Sequence, residues 1–438
     1  MPSATSRLFY NFLTKLLVLP SPTSSAHRHK RLQRHHHHKR SYLDEYISNT
    51  AKKLAKIILR TSITTSAILI LQLLYVVWKT PRLPPPPFSG VDFIPEGRIV
   101  AHNQDGDLVD HDDTSSVIHD ETKQPKEFRI VLIGDSPVEG IGNTNHHLAL
   151  SGCTAKAFAQ KVVVSSMNNS NNGEDYCYDC VRYWSYGKSG LTAREIEEEM
   201  VPLLHRVQDS LLKEKDHDDS DDNDDEQHTS IHAIVLLCGV NNVLDTNSTS
   251  TSFYSDVHSL IRSIRSNPRL SHTPLIVLGL PDFSNLPFLP WPLAFVLGYR
   301  GRMMQRMLEK VVREVQREEE EEEREGSSAA SKGRVKTVLK VIPDIQSVLG
   351  TIGHHRCNGD DTTLKMKLCH PLLKYLGGIQ LTQGKIASMG MADFLCDDGF
   401  HPGRFGTIYV GNLIREAYED LIDDVLKPNP IQSEIGNL

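Results

Sequence analysis

The stretch that decides the fold is Phe128-Arg-Ile-Val-Leu-Ile-Gly-Asp-Ser-Pro-Val-Glu-Gly140. Phe128–Ile133 is a short, nearly continuous apolar run. That is the pattern of a strand buried on both faces of a parallel sheet. Gly134 ends the run and Ser136 follows at once, so the serine falls at the carboxyl end of a strand. In open α/β folds, ligands bind along that edge. Taken alone, Gly-Asp-Ser fits an ordinary strand-to-helix turn equally well.

Working outward, three more apolar runs have the same character: Ala233–Leu237, Pro274–Leu280 and Val335–Ile342. Val181–Tyr186 is a weaker fifth. Helical periods lie between them. One opens with Thr192-Ala-Arg-Glu195, a capping box, and continues through Ile196, Met200, Leu203, Val207 and Leu211. Another runs Phe253, Val257, Leu260, Ile261, Ile264, and the last spans Ile408 to Leu426. Strand and helix alternating this way predict a three-layer α/β/α fold on a doubly wound parallel sheet over 128–427. Two acidic runs, near 214–228 and 317–333, read as solvated surface insertions because like charges repel. The Asp-rich one lacks the glycine turn and ligand spacing of an EF-hand calcium loop.

Upstream the composition changes. Residues 1–60 hold twelve Lys and Arg against two acids, Asp44 and Glu45, and predict a largely disordered basic arm. The acid-free first 43 residues, rich in Ser and Arg, also fit an organelle transit peptide. Residues 61–78 carry no charge. At 1.5 Å per residue they span about 27 Å, enough to cross a bilayer core. Lys52, Lys53, Lys56 and Arg60 flank one end, and Tyr75 and Trp78 the other. The positive-inside rule then keeps the N-terminus in the cytosol and sends the rest of a single-pass protein across. The alternative is a buried core helix. Residues 79–127, with the run Pro84–Pro87 and acids such as Asp105 and Asp110, read as a stiff, then acidic, linker. Residues 428–438 read as a tail.

The whole chain of 438 residues is 39% hydrophobic and 7% aromatic, low for a single globule, which agrees with extensions outside one enzyme-sized domain. Lys and Arg number 48 against 55 Asp and Glu, a formal charge of −7. That excludes a uniformly basic nucleic-acid coat, and no nucleic-acid partner is expected, although the basic arm alone has the charge for one. Seven cysteines are too few for a disulfide-built scaffold.

Three further segments join that of Ser136, and three of the four fall at the carboxyl edge of predicted strands. Asn241, in Cys238-Gly-Val-Asn-Asn242, follows the strand Ala233–Leu237, where a side-chain amide suits a developing oxyanion. Gly190, in Tyr186-Gly-Lys-Ser-Gly-Leu-Thr192, allows close approach of a backbone N–H to a ligand oxygen. Asp398 precedes His401 by three residues, so a carboxylate can hold Nδ1 and assign Nε2 to proton transfer. In this order the four segments resemble the SGNH (GDSL-type) hydrolase superfamily, over roughly Phe128–Ala417. GDSPVEGIG, YGKSGLTAREI, LGLPDFSNLPFLPWPLAFVLGYRGR and MADFLCDDGFHPGRFG are similar to a branch of small esterases within it.

The resemblance implies a serine esterase. Ser136 would be the nucleophile, His401 the general base and Asp398 its orienter. The oxyanion hole would be the N–H groups of Ser136 and Gly190 with the Asn241 amide. No metal or organic cofactor is implied. One position departs: the third segment usually ends Gly-x-Asn-Asp, and here the last residue is Asn242. The expected substrate is a carboxylic ester of a lipid or acylated small molecule, with an apolar acyl group. An O-acetyl esterase, a transacylase and a catalytically inactive, membrane-tethered binding module remain open. No obligate protein partner is evident.

The apolar, proline-punctuated stretch Asp282–Val296 reads as an acyl-chain wall or lid carrying Phe288, Trp291 and Phe295, or as a buried connection. Cys177 and Cys180 fit a disulfide or a redox pair. Cys357 and Cys369, beside His354, His355 and His370, fit a disulfide or, with irregular spacing, a metal site. Asn168 and Asn247 head glycosylation sequons.

Overall fold

The computed structural model describes residues 37–80, 83, 85–86, 96–102, 107–110, 126–162, 178–215, 230–271, 273–286, 289–325, 337–342, 394–398 and 401–426. The predicted sites at Asn168, Cys177, Phe288, Cys357 and Cys369, and most of the Asp-rich run, lie outside them, as does the segment 428–438.

Seven strands form one sheet: β1 (Glu96–His102), β2 (Asp107–Asp110), β3 (Glu127–Gly134), β4 (Cys180–Gly187), β5 (Ala233–Leu237), β6 (Leu275–Leu278) and β7 (Thr337–Lys340), in the order β2-β1-β4-β3-β5-β6-β7. From β4 to β7 all pairings are parallel. Ile130, Val131, Leu132, Ile133 and all of β5 are buried because both sheet faces are covered. One face carries α4 (Ala193–Glu199), α5 (Val201–Lys215), α7 (Ser250–Arg265) and α8 (Leu293–Glu325); the other carries α3 (Leu150–Val162) and α9 (Arg404–Leu426). This is the three-layer α/β/α fold that the sequence predicts. Within the parallel part the strand order reverses between β3 and β5. A doubly wound sheet opens a crevice there. α2 (Ser136–Glu139) follows β3, and α6 (Val240–Leu244) follows β5, so Ser136 and Asn241 both stand at that switch point.

Four expectations change. The linker 79–127 contains β1 and β2. β1 pairs antiparallel with β4, buries Ile99 completely, and ties Glu96 to Arg182 at 2.5 Å and Arg98 to Glu127 at 2.8 Å. The basic arm is helical from His37 onward: α1 spans His37–Lys79 without a break, since its Lys, Ala and Leu residues propagate the helix of the apolar segment. The helical period after Thr192 divides at Met200, because Pro202 has no N–H to donate back into the preceding turn. The Glu run near 318 is no insertion but the continuation of α8. Arg262 meets Glu318 at 2.8 Å and Arg265 meets Glu319 at 3.3 Å, so cations of α7 offset the repulsion.

α1 contains Asn49–Val76, a segment long and apolar enough to cross a membrane. Its apolar side chains are not those of a core helix: Ile57 and Leu71 are 61% and 65% exposed.

Candidate active site

Ser136 begins α2, and Pro137, with its fixed φ and no N–H to satisfy, is suited to that first turn. Ser136 is buried and lines a cavity of about 130 Å³. His401 lines the same cavity, so the sheet edge and the loop before α9 bring together two residues far apart in sequence. Apart from Asp135, Ser136 and His401, the side chains in the wall are apolar, among them Leu150, Leu237, Leu278, Leu280, Phe394 and Val410.

The His401 ring is held locally. Its Nδ1 lies 2.5 Å from Asp398 Oδ2, and its backbone N–H donates to Asp398 Oδ1 at 3.0 Å. Two main-chain bonds close the loop around them: Cys396 N–H to the His401 carbonyl at 2.8 Å and Gly403 N–H to the Phe394 carbonyl at 2.9 Å. A carboxylate on Nδ1 fixes the tautomer and leaves proton transfer to Nε2.

Of the expected oxyanion donors, Ser136 lines the cavity, whereas Gly190 and Asn241 lie on neighbouring turns. Gly190 is exposed, with φ +88°, a left-handed conformation that favours glycine. The Asn241 amide donates to the Leu191 carbonyl at 3.0 Å and lies 3.4 Å from Asp135 Oδ2. Gly239, at φ +104°, makes the sharp turn from β5 into α6. The departure at Asn242 has a structural answer. Its Oδ1 accepts the Ala193 N–H at 2.9 Å, and its Nδ2 donates to Ser248 Oγ at 3.0 Å. A neutral amide thus links the start of α4 to the loop after α6.

Of the apolar stretch 282–296, Leu286 lines the cavity, as does Pro281 just before it. Trp291 and Phe295 are 78% and 59% exposed and are not among the lining residues. Arg300 was not singled out from sequence. Its guanidinium donates to the carbonyl of Asn242 at 3.1 Å and to those of Asp245 and Ser248, bracing the turn that carries Asn241. Only a cation within the motif LGYRGR hints at this, because its partners are main-chain atoms with no sequence signature. Asp135 is 1% exposed, and burial raises its carboxyl from 3.8 to about 7, opposed by its own backbone N–H. Burial likewise pushes the Cys238 thiol up, so it is an inert core group. Among the described residues no cluster of three His, Cys, Asp or Glu side chains could hold a metal ion.

The model of the GDSL-like lipase/acylhydrolase family matches residues 130–414. No curated protein matches the chain. Solved structures similar to it include a lipase/acylhydrolase from Enterococcus faecalis, 18% identical, covering 67% of this chain and 96% of that one with a TM-score of 0.32. TesA is 15% identical over 67% of this chain and 99% of its own, with a TM-score of 0.31. A carbohydrate esterase family 3 protein from Talaromyces cellulolyticus is 13% identical over 69% and 99%, with a TM-score of 0.32. The family match spans the sheet from β3 to α9, including the segments of Ser136, Gly190, Asn241 and His401, and so this chain belongs to the GDSL-like lipase/acylhydrolase family and is a serine hydrolase acting on esters.

Proposed function

We propose that Ser136 attacks the carbonyl carbon of a carboxylic ester while His401 Nε2 takes its proton. The observation that carries this reading is the pair of bonds from Asp398 to His401, in a cavity whose wall includes Ser136. A serine hydroxyl is a weak nucleophile until a base removes its proton, and a carboxylate on Nδ1 stabilises the imidazolium that results. The tetrahedral oxyanion would be received by the N–H groups of Ser136 and Gly190 and the Asn241 amide, each such donor worth about 3–4 kcal/mol. Collapse expels the alcohol, which takes the proton from His401, and leaves an acyl group on Ser136. Water, deprotonated by His401, then releases the acid.

The apolar wall supports an ester with an apolar acyl group. A cavity of about 130 Å³ is close to one that accommodates benzene, roughly 150 Å³, which suits a short to medium chain. The segment Thr61–Trp78 within α1 is assigned as a single membrane anchor, with Lys52, Lys53, Lys56 and Arg60 on the cytosolic side and the hydrolase domain beyond it.

The test uses the full chain in detergent, with a fluorophosphonate probe and a series of p-nitrophenyl esters. The wild-type protein is expected to be labelled and to prefer short over long acyl groups, and Ser136→Ala to lose both labelling and turnover. Wild-type turnover in Ser136→Ala would remove the assignment.

A further inference from the structure

Glu139 lies at the last position of α2, three residues after the candidate nucleophile, and it is half-buried. Its Oε2 accepts the Ser189 N–H at 2.6 Å. Ser189 immediately precedes Gly190. A Cβ built on Gly190 would have nothing within 4 Å, so Gly190 itself is unpacked, while Leu191 beside it is buried in the core. The turn's orientation also rests on hydrogen bonds around it, among them that of the Asn241 amide to the Leu191 carbonyl at 3.0 Å. Downstream, the Thr192 N–H donates to Glu195 Oε2 at 2.8 Å in the capping box of α4. Upstream, the Lys188 N–H reaches the Gly134 carbonyl at a long 3.3 Å. The bond from Ser189 to Glu139 is shorter, charge-assisted and one residue from Gly190. Beneath it the two segments are locked: Ser185 Oγ donates to the Val138 carbonyl at 2.7 Å, and a Cβ on Gly187 would stand 2.1 Å from the Glu139 nitrogen.

We infer that Glu139 is a positioning residue, whose side-chain oxygen fixes the Ser189–Gly190 turn to the nucleophile's own helix and so aims the Gly190 N–H at the developing oxyanion. The inference rests on the proposed roles of Ser136 and Gly190. Glu139 adds a side-chain tether between α2, which carries the attacking atom, and the turn that carries the hydrogen-bond donor. The electrostatics agree with the geometry. Burial raises the Glu139 carboxyl above its ordinary value, and the Ser189 N–H, then His401 and Lys188, draw it back.

The test compares Glu139→Gln with Glu139→Met in the full-length protein, with Ser136→Ala beside them. The two side chains have similar length and volume, but only the amide oxygen of Gln still accepts from Ser189. Loss of an oxyanion donor lowers kcat by about 100-fold or more, and a donor left merely misaimed should lower it less. Glu139→Met is therefore expected to lose about 10- to 100-fold in kcat with KM within about twofold and an unchanged melting temperature. Glu139→Gln is expected to recover to within about threefold of wild type. Wild-type kcat in Glu139→Met, an equal loss in both variants, or a loss confined to KM would each overturn the inference, provided Ser136→Ala is inactive. Activity surviving in Ser136→Ala would instead overturn the underlying assignment of the nucleophile.

Discussion

Asp135 stands one residue before Ser136 with its carboxyl enclosed and, at 3.4 Å, within weak reach of the Asn241 amide. Its proton leaves near 3.8 in an ordinary setting and near 7 in the folded protein. Between those values the folded state binds more protons than the unfolded one, so this group's contribution to stability is full below about pH 4 and is lost as pH rises through 7. Three pH units correspond to about 4 kcal/mol at most. Asp135→Asn removes the titration while keeping the shape. The stability of this variant relative to wild type is expected to rise between pH 5 and pH 8, read from denaturant midpoints at the two values. Parallel curves would mean that Asp135 is ionised throughout.

At the scale of elements, the contact between α2 and the end of β4 is the tightest near the site. The Cβ of Gly187→Ala would overlap main-chain atoms of Val138 and Glu139, which cannot rotate away. The helix must move, and Ser136 moves with it. We expect a loss of about 1–3 kcal/mol in unfolding free energy, typical of overpacking, together with at least a tenfold fall in kcat. A variant that lost stability but kept kcat would show that α2 yields without displacing the serine. This region also shows what local pattern can and cannot reveal. β5 and β6 are legible because strands buried on both faces are apolar throughout, and β3 because only Glu127 and Arg129 interrupt the same pattern. α7 is legible because Phe253, Val257, Leu260, Ile261 and Ile264 repeat at helical spacing and are all buried. β1 is not, since its polar residues are satisfied by distant partners, Arg182 and Glu127. The same holds for the Glu run of α8, whose counter-charges lie on α7. Among site residues, Ser136, Asp398 and His401 stand out by type and spacing. Glu139 and Arg300 act on main-chain atoms, which no side-chain pattern announces.

For the whole molecule the consequential question is sidedness. With the N-terminus in the cytosol, protease added to sealed vesicles should leave a protected fragment containing the domain from β3 to α9, and detergent should expose it. Digestion of that domain in intact vesicles would place it in the cytosol. Asn247 gives an independent sign: it sits exposed in a turn between α6 and α7, and a lumenal domain presents its sequon to glycosylation.

The loop from Phe394 to Gly403 closes on itself through main-chain bonds, and the acid–base pair is built entirely within it. The bonds that align imidazole and carboxylate are therefore local, so a substitution elsewhere in the sheet can weaken the fold and still leave that pair aligned.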